Sequence, residues 1–531
     1  MILRNPLPQT TFVNHNGSPL YPNDISSRAI GVGSALGGDF FGWEFVLYGG
    51  FLSALGATAF AASFYWLYAL SITELAARYR TSGGSFDFVR VALGRRAGAL
   101  MAVLGLLKLL LANSALALAI SSYLIQGGMP RNMQLICWII TYGAFTLLDT
   151  IGVRQSANIQ VSATVLCVMI LIFYSASSFE KFSYARIRRS GLINDGILGF
   201  FKGFPFALQF FDGFEEVPLL MGYAIDPEKS IPQAIVSCYI TILFIALMIL
   251  FSGAGITSFS VLIASEAPLM NGIDAVYGHS TFASDVVANL VVVGLLVNFF
   301  AFVLFTSQQM QAVAEAGQLP AFLAYRDPVH GAPIAASICS SVVGLILTAG
   351  FAFIFGESAA QDTLVTAALM PAVLGYALLL ECIVRIREVE RRNLSGNVDP
   401  HDCVILGQEP GDLRFYWGLN GAKMAQLMCV MFVISLLVLA TISRDFRWGL
   451  VVLLLLSTSM LIGMEKFFSA TKTTTEDFDS KTFNDESKQE NIDDTTCLLA
   501  PSLPNTDISC SDSNFCNAKF SRIEDLEVYH C

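Results

Sequence analysis

Long uninterrupted runs of apolar residues constrain the fold of this chain more than any other feature. The runs recur between Ala29 and Phe467, and each one ends at a glycine, a proline or a group of charged residues. A bilayer core about 30 Å thick requires roughly 20 apolar residues per helix, whereas a membrane β-barrel would show short alternating segments. Charged residues make up only 14% of the chain, against about 25% in soluble proteins. The chain is therefore predicted to be an all-α integral membrane protein.

The lengths of the apolar runs predict about twelve transmembrane helices. We place these spans near 29–50, 52–76, 97–125, 133–150, 156–178, 199–223, 233–256, 283–312, 333–355, 362–385, 423–443 and 447–467. Residues 28–468 then form one transmembrane domain, preceded by a cytosolic segment, residues 1–27, without the pattern of a secretory signal. Residues 469–531 are polar, with thirteen acids and five bases, and are predicted to form a disordered, acidic cytosolic tail.

The distribution of basic residues predicts that both termini face the cytosol. The loops after spans two and ten are rich in arginine, whereas the loop between spans seven and eight contains neither Lys nor Arg. The loop after span five disagrees, because this orientation places its four basic residues outside: Lys181, Arg186, Arg188 and Arg189.

The acidic tail contains a candidate sorting signal. Asp494 lies four residues before the pair Leu498 and Leu499, which is the form of an acidic dileucine signal for a sorting adaptor. The alternative is an accidental leucine pair in a polar segment. We expect the protein in the plasma membrane, or in an internal vesicle membrane if the signal is functional.

Two of the predicted spans carry residues that interrupt helices. The first span is rich in glycine between Gly31 and Gly42 and includes the ionisable Asp39. The sixth contains Asp212, Gly213, two glutamates and Pro218. A membrane helix breaks only where protein or a cavity satisfies the freed backbone groups, and breaks at matching places in two inverted halves indicate a transporter binding site. The alternative is that the glycines only permit close helix packing.

Several segments together resemble the amino acid–polyamine–organocation superfamily of permeases. These are Glu74-Leu-Ala-Ala-Arg78 followed by Gly83-Gly84-Ser85-Phe86, Phe211-Asp212-Gly213-Phe214-Glu215, Asp226-Pro227 to Ile231-Pro232, and Glu315-Ala-Gly317-Gln-Leu319-Pro320. The resemblance covers roughly residues 26–467. It implies a twelve-helix transporter fold of five-plus-five inverted repeats with broken helices 1 and 6, and secondary active uptake.

Two shorter runs are similar to those of ethanolamine permeases. They are Gly38-Asp39-Phe40-Phe41-Gly42-Trp43, followed by Phe45, and Phe214-Glu215-Glu216-Val217-Pro218. The chain departs from the superfamily pattern at Lys108 in span three, where an acidic or neutral residue is expected. It also departs at Gln308 and Gln309, where many relatives have Ser-Arg.

The resemblance and the two interrupted spans together suggest where the substrate binds. Amino-acid carriers of this fold hold the substrate carboxylate on free amides of the broken first helix, where the helix end carries partial positive charge. Asp39 lies at that place and would repel a carboxylate but attract an ammonium group. Asp212 is a second candidate partner of the amine, or else a cap for the broken helix. The candidate substrate-binding residues are Ser34, Gly37, Gly38, Asp39, Phe211, Asp212, Gly213 and Phe214.

The aromatic and hydroxyl residues near the breaks leave alternatives open. Phe211 and Phe214 are predicted to close over the cation by cation–π contact, or else to pack in the protein interior. Thr306 and Ser307 offer hydroxyl ligands for sodium, although hydroxyl groups in membrane helices commonly bond backbone carbonyls.

Ion coupling is assigned to the charged residues near the second break. Glu215 and Glu216 are candidates for carrying a proton, or for a salt bridge with Lys108. A lysine inside the membrane usually faces a partner or a cavity, so Lys108 is the third coupling candidate.

The sequence thus favours import of a small organic amine such as ethanolamine by alternating access, with proton coupling. The second candidate is an amino acid permease of the same fold, and the third is a nutrient sensor that signals through its tail without transporting. The chain has no His-Glu-x-x-His motif, nucleophile elbow or P-loop, so an enzyme or an ATP-driven pump is not expected. No cofactor, metal site or nucleic-acid partner is predicted.

Overall fold

The structure is a computed structural model that describes residues 24–464 except for short gaps at 80, 152, 225–226, 266, 279–281, 328–330, 395–404, 407–417, 443–446, 449 and 452. The chain divides into two units, Met1–Thr471 and Lys472–Cys531, and every described residue belongs to the first. The predicted tail, with Leu498 and Leu499, lies outside the described residues.

Helices make up all of the regular structure in the described part of the chain. In chain order they are α1 (Asp24–Ala35), α2 (Gly37–Phe40), α3 (Phe51–Arg78), α4 (Gly84–Leu93), α5 (Arg95–Gln126), α6 (Gln134–Ile151), α7 (Val153–Ser178), α8 (Tyr184–Ser190), α9 (Gly196–Gly203), α10 (Pro227–Ile256), α11 (Phe259–Ile263), α12 (Pro268–Tyr277), α13 (Phe282–Glu315), α14 (Ile334–Phe355) and α15 (Glu357–Leu394). Two further helices cover Gly418–Ile442 and Leu453–Met464.

Nine of the described helices are long and apolar enough to cross a membrane. They correspond to nine of the predicted spans and confirm an all-α, multi-pass membrane fold. The other three predicted spans, near 29–50, 199–223 and 447–467, are not single long helices among the described residues. The first and sixth are interrupted, and the last contributes the short helix Leu453–Met464. Because a break shortens each helical piece below bilayer length, the first and sixth spans fail a test based on uninterrupted helices.

The first span is interrupted at two points. Helix α1 ends at Ala35, α2 covers only four residues, and a 3₁₀ helix over Trp43–Gly49 completes the span. Between the last two lies Gly42, with φ of 90°. Only glycine adopts such a backbone conformation without steric cost, so this part of the glycine-rich sequence serves the interruption and not helix packing alone.

The sixth span is interrupted in a corresponding way. It consists of α9, a 3₁₀ helix over Phe204–Phe210 and a second 3₁₀ helix over Phe214–Tyr223. Gly213, between the two 3₁₀ helices, has φ of 120°. The predicted breaks in helices 1 and 6 are therefore both present.

Helix α5 lies in the interior of the bundle, and almost all of its residues between Met101 and Tyr123 are buried. Its apolar residues face all directions, which is the pattern of a helix surrounded by other helices. In contrast, α6, α14 and the helix Gly418–Ile442 expose large apolar side chains, such as Ile140 and Leu427. Those faces are suited to contact with lipid. The central position of α5 brings Lys108 to the second break.

Candidate functional site

The backbones of the two breaks lie against each other. The hydroxyl oxygen of Ser34 lies 2.8 Å from the carbonyl oxygen of Gly31 and 3.2 Å from that of Gly213, so its hydrogen can be donated to either. A Cβ atom at Gly213 would lie 2.6 Å from the carbonyl oxygen of Ser34. Ser34 and Gly213 therefore join the breaks, while their predicted contact with substrate stays a prediction.

Close packing also requires two further glycines of the first break. A side chain on Gly37 would overlap the amide of Asn298 on α13, and one on Gly38 would overlap the backbone carbonyl of Gln209. Asn298 also donates hydrogen bonds to the carbonyls of Gly33 (3.2 Å) and Ser34. These bonds satisfy carbonyl groups that the end of α1 leaves without helical partners.

Asp39 is a buried acidic residue without a partner in the described part of the chain. Its side chain is 0% exposed, and neither carboxylate oxygen has a hydrogen-bond partner there. Burial of a charge is costly unless the charge is paired. The site at Asp39 is therefore suited to an ammonium group or another cation that would supply the missing partner.

Four charged side chains meet between α5 and the second break, and we call them the Lys108 cluster. The Lys108 ammonium lies 3.0 Å from Asp212 Oδ1, 2.5 Å from Glu215 Oε1 and 2.9 Å from Glu216 Oε1. All four side chains are largely buried. The ion pair suggested by sequence for the two glutamates is thus present, and Asp212 shares it. With one ammonium and three carboxylates, the cluster has two acidic groups more than its lysine can neutralise.

Two tyrosines extend the Lys108 cluster. The Tyr376 hydroxyl on α15 lies 2.6 Å from Glu215 Oε1 and 3.1 Å from Asp212 Oδ1. Tyr65 on α3 lies 3.0 Å from Tyr376, oxygen to oxygen. The Lys108 ammonium also lies 5.6 Å from the centre of the Tyr376 ring, a cation–π distance. Tyr376 therefore connects the carboxylates of the cluster to α3 and α15.

A cavity of about 20 Å³ adjoins the Lys108 cluster. This volume exceeds the roughly 10–15 Å³ that one water molecule needs. Asp212 is absent from its walls among the described residues, although the other three members of the cluster are present. Polar side chains that line it are Tyr68, Ser85, Lys108, Glu215, Glu216, Gln309 and Tyr376.

Phe211 and Phe214 pack among other aromatic rings. Their ring centres lie 5.3 Å and 5.7 Å from that of Tyr65, and about 6 Å from that of Tyr239 on α10. Both phenylalanines are fully buried. This geometry corresponds to the packing alternative, and the proposed contact with a substrate cation stays a prediction.

The hydroxyl groups considered for sodium have protein partners. Thr306 Oγ1 donates to the carbonyl of Phe302 at 2.6 Å and accepts from Asn113 at 3.2 Å. Ser307 Oγ lies 2.8 Å from the carbonyl of Leu304 and 2.9 Å from the Asp149 carboxylate. These contacts match the alternative in which the hydroxyl groups bond within the protein.

The two glutamines that depart from the superfamily pattern have different surroundings. Gln308 accepts a hydrogen bond of 3.0 Å from Arg326, which also donates to the Tyr223 hydroxyl at 2.6 Å. Gln309 is buried at the cavity, and its Oε1 atom has no partner in the described part of the chain. Arg326, in the loop after α13, therefore brings an arginine to Gln308. In the superfamily pattern the arginine lies on the helix itself.

Several residues of this region escaped the sequence analysis. Tyr376, Tyr65 and Asn298 hold the breaks or the cluster, and Arg326 binds Gln308 and Tyr223. None of them is among the candidates predicted from sequence. Asn298 and Tyr376 carry a usable signal, since each is a polar side chain in the middle of an apolar run. Tyr65 and Arg326 carry no comparable signal, because their importance comes from contacts distant in sequence.

Comparison with the sequences of known proteins also indicates a transporter. A sequence model described as amino acid permease matches residues 25–457. Among curated proteins, an uncharacterized transporter of Legionella pneumophila is 23% identical over 369 residues, which cover 65% of this chain and 77% of that protein.

Solved structures with a similar fold also match this chain. A manganese transporter of Eremococcus coleocola has a TM-score of 0.55 at 13% identity, with 87% of this chain and 99% of that chain covered. MhsT in complex with L-phenylalanine has a TM-score of 0.55 at 14% identity, with 80% of this chain and 100% of that chain covered. At these identities the likeness shows the fold alone, and it confirms the predicted transporter fold.

Proposed function

The chain belongs to the amino acid permease family and is a secondary transporter, not an enzyme, and we propose that its cargo is a small organic amine such as ethanolamine. Asp39 carries this proposal, because both of its buried carboxylate oxygens are without a partner in the described part of the chain. An ammonium group supplies the opposite charge and the hydrogen bonds that such a carboxylate requires.

A substrate carboxylate fits this environment less well. Asp39 would repel it, and Lys108, which lies at the second break, already contacts three carboxylates. An amine without a carboxylate avoids both difficulties. The ethanolamine assignment further rests on the resemblance of Gly38–Trp43 and Phe214–Pro218 to ethanolamine permeases.

Transport then proceeds by alternating access. The amine enters from outside, binds between the breaks in helices 1 and 6, and is released to the cytosol when one group of helices tilts against the other. Uptake is coupled to protons in this proposal. The Lys108 cluster supports it, because its two excess acidic groups can bind protons in a region shielded from water.

Uptake of radiolabelled ethanolamine into proteoliposomes under an inward proton gradient tests the proposal. Asp39→Asn is expected to abolish uptake, since the neutral amide cannot pair with the ammonium group. The matched control is Asp195→Asn, at an exposed position with φ of 54°, a conformation that asparagine also adopts readily. The control variant should transport like the unmodified protein.

Competition with unlabelled amino acids separates the two transport candidates. Ethanolamine uptake that resists amino acids supports the amine carrier. If only amino acids are transported, or if Asp39→Asn retains ethanolamine uptake, the amine proposal is wrong and the family's amino acid permease activity takes its place.

A further inference from the structure

The two adjacent glutamates of the Lys108 cluster differ in how their oxygens are used. Glu215 Oε1 binds Lys108 and the Tyr376 hydroxyl, and its Oε2 accepts a hydrogen bond of 2.8 Å from the backbone N–H of Gly213. Both oxygens therefore have strong donors. Because one of these donors is the backbone of the break itself, Glu215 holds the interrupted helix in shape.

Glu216 has a simpler set of contacts. Its Oε1 binds Lys108 at 2.9 Å, and within the described residues no hydrogen bond is made by Oε2. Like Glu215 and unlike Asp212, Glu216 lines the cavity beside the cluster, together with Gln309, whose Oε1 atom also has no partner there. The cavity wall therefore includes two residues that each have a free acceptor atom, which is the kind of surface that holds a water molecule.

The position of the cavity connects it with one side of the membrane. Gly83 and Ser85, at the start of α4, form part of its wall. They belong to the arginine-rich loop after span two, which the distribution of basic residues places in the cytosol. The cavity thus lies between Glu216 and the predicted cytosolic face.

From these contacts we propose that Glu216, and not Glu215, is the carboxyl group that exchanges the coupling proton with the cytosol. This inference rests on the proposed proton-coupled transport. In the step itself, the O–H bond of protonated Glu216 breaks and the proton forms a new O–H bond with water in the cavity. The resulting hydronium ion leaves toward the cytosol, and the Glu216 carboxylate stays paired with Lys108. No electrons are transferred.

The groups that face Glu216 come from four elements. Lys108 lies on α5, while Asp212 and Glu215 belong to the second break. Tyr68 on α3 and Tyr376 on α15 line the same cavity. Lys108 favours the carboxylate form and the two neighbouring acids oppose it, so release of the proton depends on all three.

Two transport measurements on reconstituted full-length protein test whether Glu216, and not Glu215, releases the proton. Net uptake of labelled ethanolamine under an inward proton gradient requires proton release inside. Exchange of labelled for unlabelled ethanolamine at equal pH requires no net proton movement. For Glu216→Gln we expect the gradient to lose its accelerating effect, while exchange continues at a reduced rate. That remaining exchange demonstrates that the variant is folded.

Neighbouring variants provide the comparison. Glu215→Gln should lower both modes together, because it weakens the bond to Gly213, and any remaining uptake should still respond to the gradient. Glu216→Asp should restore part of the response. Glu180→Gln, at an exposed position outside the site, should behave like the unmodified protein.

The outcomes against the inference are distinct from those against the proposed function. A Glu216→Gln variant that keeps the gradient response overturns the inference, as does unmodified protein whose uptake ignores the gradient. If the unmodified protein carries an amino acid and no ethanolamine, the amine proposal fails. The same comparison of Glu216 with Glu215, made with that amino acid, still decides which glutamate releases the proton.

Discussion

At the scale of single residues, Lys108 shows how a membrane interior accommodates charge. Three carboxylates within 3.0 Å of one ammonium provide the pairing that a buried lysine requires. Removal of one partner from such a group leaves uncompensated charge, which is costly away from water. The cluster is therefore poorly explained as a stabilising device alone, and its excess of acidic groups is better suited to binding protons or cations.

Gly213 gives a prediction at the same scale. Its φ of 120° strains any residue with a side chain, and its Cβ would press on the Ser34 carbonyl. We expect Gly213→Ala to cost about 1–3 kcal/mol in stability and to abolish transport, because the breaks can no longer touch. The apparent melting temperature in detergent and ethanolamine exchange in proteoliposomes measure the two effects.

Gly56 on α3 is the matched control for this change. It is exposed within a helix, and nothing lies within 4 Å of a Cβ atom built there. Gly56→Ala is expected to leave transport unchanged and to preserve or slightly raise stability, since alanine favours helices over glycine by about 0.5–1 kcal/mol. Equal effects of the two substitutions would contradict the role given to Gly213.

At the scale of elements, a ring of charged residues joins α3 to α15. Arg78 lies 2.8 Å from both Glu74 and Glu390, and Arg387 lies 2.6 Å from Glu74 and 2.9 Å from Glu390. The Glu74 side chain is fully buried. The pairing of Glu74 with Arg78 is thus part of a larger connection between two helices.

A double-mutant cycle on Glu74→Gln and Arg387→Met tests this ring. Because the two side chains are buried in one network, we expect a coupling energy of about 0.5–3 kcal/mol, measured by unfolding in detergent. The control pair is Arg385 and Glu388, also on α15 but 3.6 Å apart and substantially exposed. Exposed pairs contribute only about 0–1 kcal/mol. If the coupling energy in the ring is no larger than that of the control pair, the ring does not stabilise the contact between α3 and α15.

A contact between α8 and the end of α10 explains one of the basic residues after span five that disagree with the predicted orientation. Arg186 lies on α8 and donates hydrogen bonds to the carbonyls of Gly255 and Ile256 at the end of α10. Basic side chains are favourable at helix C-termini, where carbonyl groups lack partners. This role does not depend on the side of the membrane, so Arg186 is weak evidence about orientation. Arg188 and Arg189 are exposed and gain no such explanation.

At the scale of the whole molecule, the site residues and both breaks lie between residues 24 and 464. We therefore expect a chain without residues 469–531 to transport at an undiminished rate per molecule. A sensor that signals through the tail would instead lose its output. Reconstituted uptake by the truncated protein makes this measurement, and loss of uptake in correctly folded truncated protein would contradict the carrier proposal.

A second experiment expresses the full-length chain with Leu498→Ala and Leu499→Ala in cells. Its transport should be unaffected. A change in compartment would support the dileucine signal and an internal membrane, whereas unchanged localisation would favour an accidental leucine pair and the plasma membrane.

The sequence by itself determined the membrane class and the places where helices fail. Apolar runs of bilayer length must form helices, because lipid offers no other partners for backbone groups. Glycines such as Gly42 and Gly213, set beside carboxylates, marked the interruptions for the same reason. Both are local properties of the chain. The exact number of spans stays a prediction, since an interrupted span does not form one helix of bilayer length.

Only the tertiary structure decided which polar groups meet. Lys108 lies more than a hundred residues before Glu215, and Tyr376 more than a hundred and sixty after it. Their contact depends on how α5 and α15 pack around the second break. Asp39 is the opposite case, because the described residues leave it without a partner. This too follows from how the helices pack. Local sequence fixes where a helix can form or break, whereas pairing across the bundle depends on the arrangement of all the helices, which no short pattern specifies.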